Sequence, residues 1–170
     1  MQSLIRIILL VLIVSCSAKK ETTNIDSDVI EIIQKELGNG NQQVYFRTLT
    51  EDQKRISGWV TSFGLNSPLC GDEKEMISTQ ISDEEIDQLK IGFESRIGLR
   101  LDKLVPEQKK RISRKWHGGY TDWISSPVII RNGSIALIYR SGDYGSGFSH
   151  YHKIDGKWKS ICYSQVSSID

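Results

Sequence analysis

Residues 127–141 read "PVIIRNGSIALIYRS", and the reading of this stretch decides the fold class. Apolar runs flank Asn132-Gly133. That is the pattern of a β-hairpin whose two-residue turn needs left-handed backbone, which Asn and Gly tolerate. The register sets Ile130 opposite Ile135 and Val128 opposite Leu137. Successive side chains on a strand point to opposite faces, yet Ile129, Ala136 and Ile138 are apolar as well. A hairpin that is apolar on both faces belongs inside a sheet or under helices. A second hairpin, "GFSHYHKIDGKWKSICYS" (147–164), turns at Asp155-Gly156. Together the two predict a four-stranded antiparallel meander.

The register of the second hairpin depends on its turn. A two-residue turn puts His150 and His152 on the face of Lys157 and Lys159. A three-residue turn with a bulge at Gly156 puts them with Trp158 and Cys162. The bulged turn is expected, because it gathers Phe148, Trp158 and Cys162 on one side.

Upstream the apolar period is helical. In "DSDVIEIIQKELG" (26–38), Val29, Ile32, Ile33 and Leu37 share one face, with Asp26 or Ser27 as cap and Gly38 as stop. "QVYFRTL" (43–49) reads as a short strand. Thr50 with Gln53 opens a helix through residue 63. Ser82 with Glu85 is a capping box for a helix carrying Ile86, Leu89, Phe93 and Ile97 inward. Pro106 can begin a further helix to Trp116, with Ile112 and Trp116 inward. Helices followed by a meander give an α+β fold, with a helical N-terminal half packed on a C-terminal four-stranded antiparallel meander.

The N-terminus reads differently. Arg6 precedes an uninterrupted apolar run from Ile7 to Val14, too short for the roughly 20 residues of a spanning helix. A basic start, a short apolar centre and small residues after it form a secretory leader. Ile13-Val14-Ser15-Cys16 resembles the lipobox of bacterial lipoproteins, with Ile13 in place of the commoner Leu. The resemblance covers residues 1–16 only. It implies a diacylglyceryl group on Cys16, cleavage before it, and a location in the bacterial cell envelope. Ser17, where an acidic residue could stand, resembles an outer-membrane address, facing the periplasm or the cell surface. Residues 1–15 are then the signal peptide, 16–25 the lipidated Cys and a polar tether, and 26–170 one globular domain. Several acyl chains on one residue hold a protein far more firmly than a single chain does.

The full chain has 22 Lys and Arg against 21 Asp and Glu. Without Arg6 the mature chain is neutral. No basic excess marks a nucleic-acid binder. Of the three cysteines, lipidation removes Cys16 and leaves Cys70 and Cys162. An oxidising compartment permits a disulfide between them. The alternative is two buried thiols acting as small apolar side chains.

Several residues could carry function. Trp116, Tyr120 and Trp123 cluster around a Gly pair and could stack on a sugar or a peptide, or pin a loop over the core. Arg140 and Tyr144 could join that surface. His150 and His152 alternate on one strand and share a face. A metal there would need a third ligand, such as His117, Asp122 or Asp143, and neither a metal nor another cofactor is expected. Gly142, Gly145 and Gly147 lack the following helix that a phosphate loop requires. No nucleophile elbow, zinc-protease helix or dinucleotide fingerprint occurs. The expected function is a non-catalytic binding or accessory domain, anchored to the membrane, for an envelope protein or polymer. The alternative is a small envelope hydrolase using His150 and His152, with or without a metal.

Overall fold

A computed structural model describes residues 25–39, 42–49, 53–61, 65, 80–95, 98–115, 121–142 and 145–167. Helix α1 (Ser27–Asn39) starts where Asp26 Oδ1 accepts the Asp28 N–H at 2.9 Å, and buries Val29, Ile32, Ile33 and Leu37 as the helical spacing requires. Strand β1 (Gln43–Tyr45) follows, then α2 (Gln53–Trp59), which ends earlier than the sequence indicates. Helix α3 (Asp83–Glu94) carries the capping box in full. The Ser82 side chain accepts the Glu85 N–H, and Glu85 accepts the Ser82 N–H. Ile86, Leu89 and Phe93 are buried; Ile97, like Thr50, lies outside the described residues.

The helix expected after Pro106 is not formed. A short helix α4 (Leu101–Leu104) leads into a 3-10 helix (Pro106–Arg111), and the chain then extends as β2 (Ile112–Ser113). Ile112 is β-branched and pairs with Val44 of β1 in a parallel ladder, which a continued helix would leave open. Strand β3 (Thr121–Ile124) is also extended, where the sequence reads as an aromatic loop. Strands β4 (Val128–Ile130), β5 (Ile135–Gly142), β6 (Gly145–Ile154) and β7 (Lys157–Ser167) complete a seven-stranded sheet of order β2-β1-β3-β5-β6-β7, with β4 also on β5.

The α+β class therefore stands, but the four-stranded meander is only part of a larger sheet. β4 to β7 pair antiparallel as expected. They are extended by β3 and by the parallel strands β1 and β2. The N-terminal half is not wholly helical, because β1 lies in the middle of that extension.

Register follows the first hairpin as read: Val128 opposite Leu137 and Ile130 opposite Ile135. Asn132 (φ 50°) and Gly133 (φ 83°) take the left-handed backbone that this turn needs. Alternation then divides β5 between two cores. Ile135, Leu137 and Tyr139 pack with Phe148, Ile56 of α2, and Ile86, Leu89 and Phe93 of α3. Ala136 and Ile138 pack with Tyr151, Trp158, Leu101 of α4, and the apolar face of α1. Helices thus cover both faces, as an apolar-on-both-sides hairpin demands. A Cβ on Gly92 would overlap Val128, so α3 approaches β4 at the one helical position without a side chain.

The second hairpin corrects the expected register. Its turn has two residues, Asp155 (φ 51°) and Gly156 (φ 73°), with Ile154 opposite Lys157 and His152 opposite Lys159. The bulge comes later, at Ile161, so His150 faces Cys162. Trp158 shares a core with Tyr151, while Phe148 packs on the other face of the sheet. The three residues expected on one side are therefore divided between two.

Candidate functional site

Three charged side chains occupy positions that the pattern assigns to the interior. Glu36 follows Val29, Ile32 and Ile33 on the buried face of α1 and is 2% exposed. Arg140 continues the inward face of Ala136 and Ile138. Asp122, on β3, is 4% exposed. Arg140 joins the other two. Its Nε lies 2.6 Å and its Nη2 2.5 Å from Asp122 Oδ2, and its Nη1 lies 3.0 Å from Glu36 Oε1. Tyr151 donates its hydroxyl to Glu36 Oε2 at 2.6 Å. Gln42, with its amide nitrogen turned toward Asp122, donates to both carboxylate oxygens at 2.7 and 2.9 Å.

Burial opposes the charge on Arg140, but Glu36 and Asp122 more than offset it and raise its pKa above the ordinary guanidinium value. Burial, with Glu36 next to it, pushes the Tyr151 phenol well above its usual range, so Tyr151 stays protonated and donates. Such a network costs desolvation that hydrophobic residues of the same volume would not.

The network floors a cavity of about 680 Å3. Asn39 at the end of α1, Gln42, Gly142, Gly145, Ser149, Ser160, Cys162, Tyr163 and Gln165 form the rest of its lining. Gly142 is required there, because a Cβ would overlap Asp122 Oδ1. A Cβ on Gly147 would overlap the Tyr163 ring and the Ser164 carbonyl. These glycines make room for neighbours. Gly142 pairs with Gly145, and Gly147 with Arg140, in the β5–β6 ladder.

Of the candidates named from sequence, Arg140 and Asp122 sit at the heart of this site, with Gly142, Gly145 and Cys162 on its wall. His150 and His152 do share a face of β6. His150 is 1% exposed, and its Nε2 lies 2.6 Å from Ser164 Oγ. Burial, and secondarily the neighbouring His152, lower its pKa to about 4. His152 Nε2 has no hydrogen-bond partner among the described residues. Among those residues no group of three or more His, Cys, Asp or Glu is arranged to hold a metal ion. The Trp123 ring meets that of Tyr45 at a tilt, 4.2 Å between ring centroids, and Tyr45 meets Phe46 edge-on. Trp116, Tyr120 and Tyr144 lie outside the described residues, as do Cys16, Cys70, His117 and Asp143. Cys162 is disulfide-bonded.

Glu36, Gln42 and Ser149 were not among the sequence candidates. Glu36 had a legible signal, a carboxylate in phase with an otherwise apolar helix face. Asp122 entered only as a third metal ligand, and no signal of that kind exists for Ser149, one serine among many. No protein family matches this chain, and neither a curated protein nor a solved structure is significantly similar to it.

Proposed function

We propose that this chain is a lipid-anchored protein of the bacterial cell envelope whose folded domain binds and does not catalyse. Residues 13–16 support the anchor. The disulfide at Cys162 fits the same compartment, since such bonds persist where the surroundings are oxidising. Cys70 is its partner in this reading, because Cys16 carries the lipid.

The observation that carries the binding reading is the cavity above Glu36, Arg140 and Asp122. Its volume is that of a ligand site. Among the described residues, the charged groups on the cavity floor are tied to one another, and His150 and Ser164 are sealed in the core. What remains at the wall is amide and hydroxyl, suited to recognition. The ligand is an envelope protein or polymer within reach of the tether.

The test is metabolic labelling with palmitate in the native host. The wild-type chain takes up label and is cleaved; Cys16→Ala takes up none and remains full length. Normal labelling of that variant would remove the anchor.

A competing reading, a small hydrolase working through His150 and His152, draws on the 2.6 Å contact between His150 Nε2 and Ser164 Oγ. Metal titration followed by melting temperature separates the two. Stabilisation by a divalent ion that disappears in the His150→Ala, His152→Ala double variant would replace the binding reading with the enzyme.

A further inference from the structure

The cavity also carries a ligand class, and the inference rests on the binding reading above. We propose that it takes a neutral, polyhydroxylated ligand, a unit of one or two sugar rings.

Charge comes first. The floor holds two carboxylates and one guanidinium, a formal balance of one negative charge. That excess disfavours a phosphate, sulfate or carboxylate ligand. A cation gains little, because both Asp122 oxygens and both Glu36 oxygens already accept hydrogen bonds from Arg140, Gln42 or Tyr151.

The second observation is Ser149. It lines the cavity at 8% exposure, and its hydroxyl has no hydrogen-bond partner among the described residues. The hydroxyl opens to the cavity, where it can bond to a group that enters. A serine hydroxyl both donates and accepts, as does a side-chain amide. The Ser149 and Ser160 hydroxyls can donate and accept, and the Gln42 carbonyl accepts, a mixture that matches the hydroxyls of a sugar. A purely donating or purely accepting ligand would leave half of them unmet.

Tyr163 supplies an apolar surface for the ring face. It is 40% exposed at the cavity wall, and its ring lies against Gly147, where no side chain could fit. Burial keeps the phenol neutral by pushing its pKa up to about 12.

The experiment is saturation-transfer NMR on the full chain in a zwitterionic, sugar-free detergent. The probes are cellobiose, maltose and di-N-acetylchitobiose at millimolar concentration, with glucosamine and glucuronate as charged counterparts. At least one neutral disaccharide should receive saturation at its ring protons. Ser160 is exposed, so Ser160→Trp should fill the mouth and abolish transfer while the far-UV circular dichroism stays unchanged. Ser149→Ala should weaken binding by about five- to tenfold, the loss of one hydrogen bond. If Ser160→Trp does not fold, Ser160→Arg replaces it. No transfer to any neutral disaccharide, transfer only to a charged sugar, or transfer that survives the blocked mouth would each overturn the assignment. Those failures leave the palmitate result untouched, so the anchored binding reading would stand with a protein as its ligand.

Discussion

Gly142 touches the Asp122 carboxylate so closely that any Cβ at position 142 would overlap Asp122 Oδ1. The same carboxylate holds Arg140 and Gln42. Gly142→Ala must therefore push Asp122 off its partners or bend β5. Crowding of this kind costs about 1–3 kcal/mol. The expected outcome is a lower urea midpoint with an unchanged slope. Combining it with Asp122→Ala, which vacates the space, should cost clearly less than the two single losses added together. Additive losses would show that the contact is not tight.

Arg140 lies between two buried carboxylates, so its removal strands both. Breaking a buried ion pair by deleting one partner costs about 3–5 kcal/mol. Arg140→Met should fall in that range by chemical denaturation. The triple variant Arg140→Met, Glu36→Gln, Asp122→Asn carries no buried charge and should recover part of the loss. If the triple variant is the least stable of all, the network is held by its geometry and not by charge balance.

His150 gives the fold a pH dependence with a definite sign. Burial lowers its pKa from 6.5 to about 4, so in the interval between those values the unfolded chain binds a proton that the folded chain refuses. Stability is then complete above about pH 6.5 and falls as the pH drops toward 4, by about 3 kcal/mol in all. His152 is lowered too, by burial and by Arg131, and adds in the same direction. His150→Gln should flatten the acid limb of the stability curve while His152→Gln changes it less. An acid limb identical in wild type and His150→Gln would show that the imidazole accepts its proton in place.

What the sequence made legible was local. Asn132-Gly133 set the first hairpin and its register, and the box at Ser82 and Glu85 set the start of α3. Apolar residues on both faces of β5 called for helices above and below, and α1 and α3 provide them. What was not legible was long-range or depended on small differences of energy. Glu36 and Arg140 are 104 residues apart in the chain, and no spacing rule joins them. β2 and β3 are recruited by pairing with β1 across long stretches of chain, which outweighs the helical propensity of residues 106–116. The sequence places the bulge at Gly156 and not at Ile161, because that register gathers Phe148, Trp158 and Cys162 on one side. The deciding factor, a two-residue turn that leaves Trp158 facing α1, is a tertiary one.

The last prediction concerns Cys162. It is disulfide-bonded, and the chain offers Cys16 and Cys70 as partners. If Cys16 carries lipid, unfolded and unreduced mature protein should show no free thiol, and reduction should release two. A bond to Cys70 closes a loop of roughly 90 residues and should stabilise the fold by about 4–5 kcal/mol through the unfolded state. Cys70→Ser and Cys162→Ser should then be destabilised alike, and the double variant no more than either, because one bond is lost in each case. Because Cys162 also lines the cavity, reduction should weaken binding of a ligand held there as well as lower the melting temperature. Two thiols reactive before reduction would refute the pairing. A bond recovered between residues 16 and 162 by peptide mapping would do more, since a sulfur in a disulfide cannot carry the lipid.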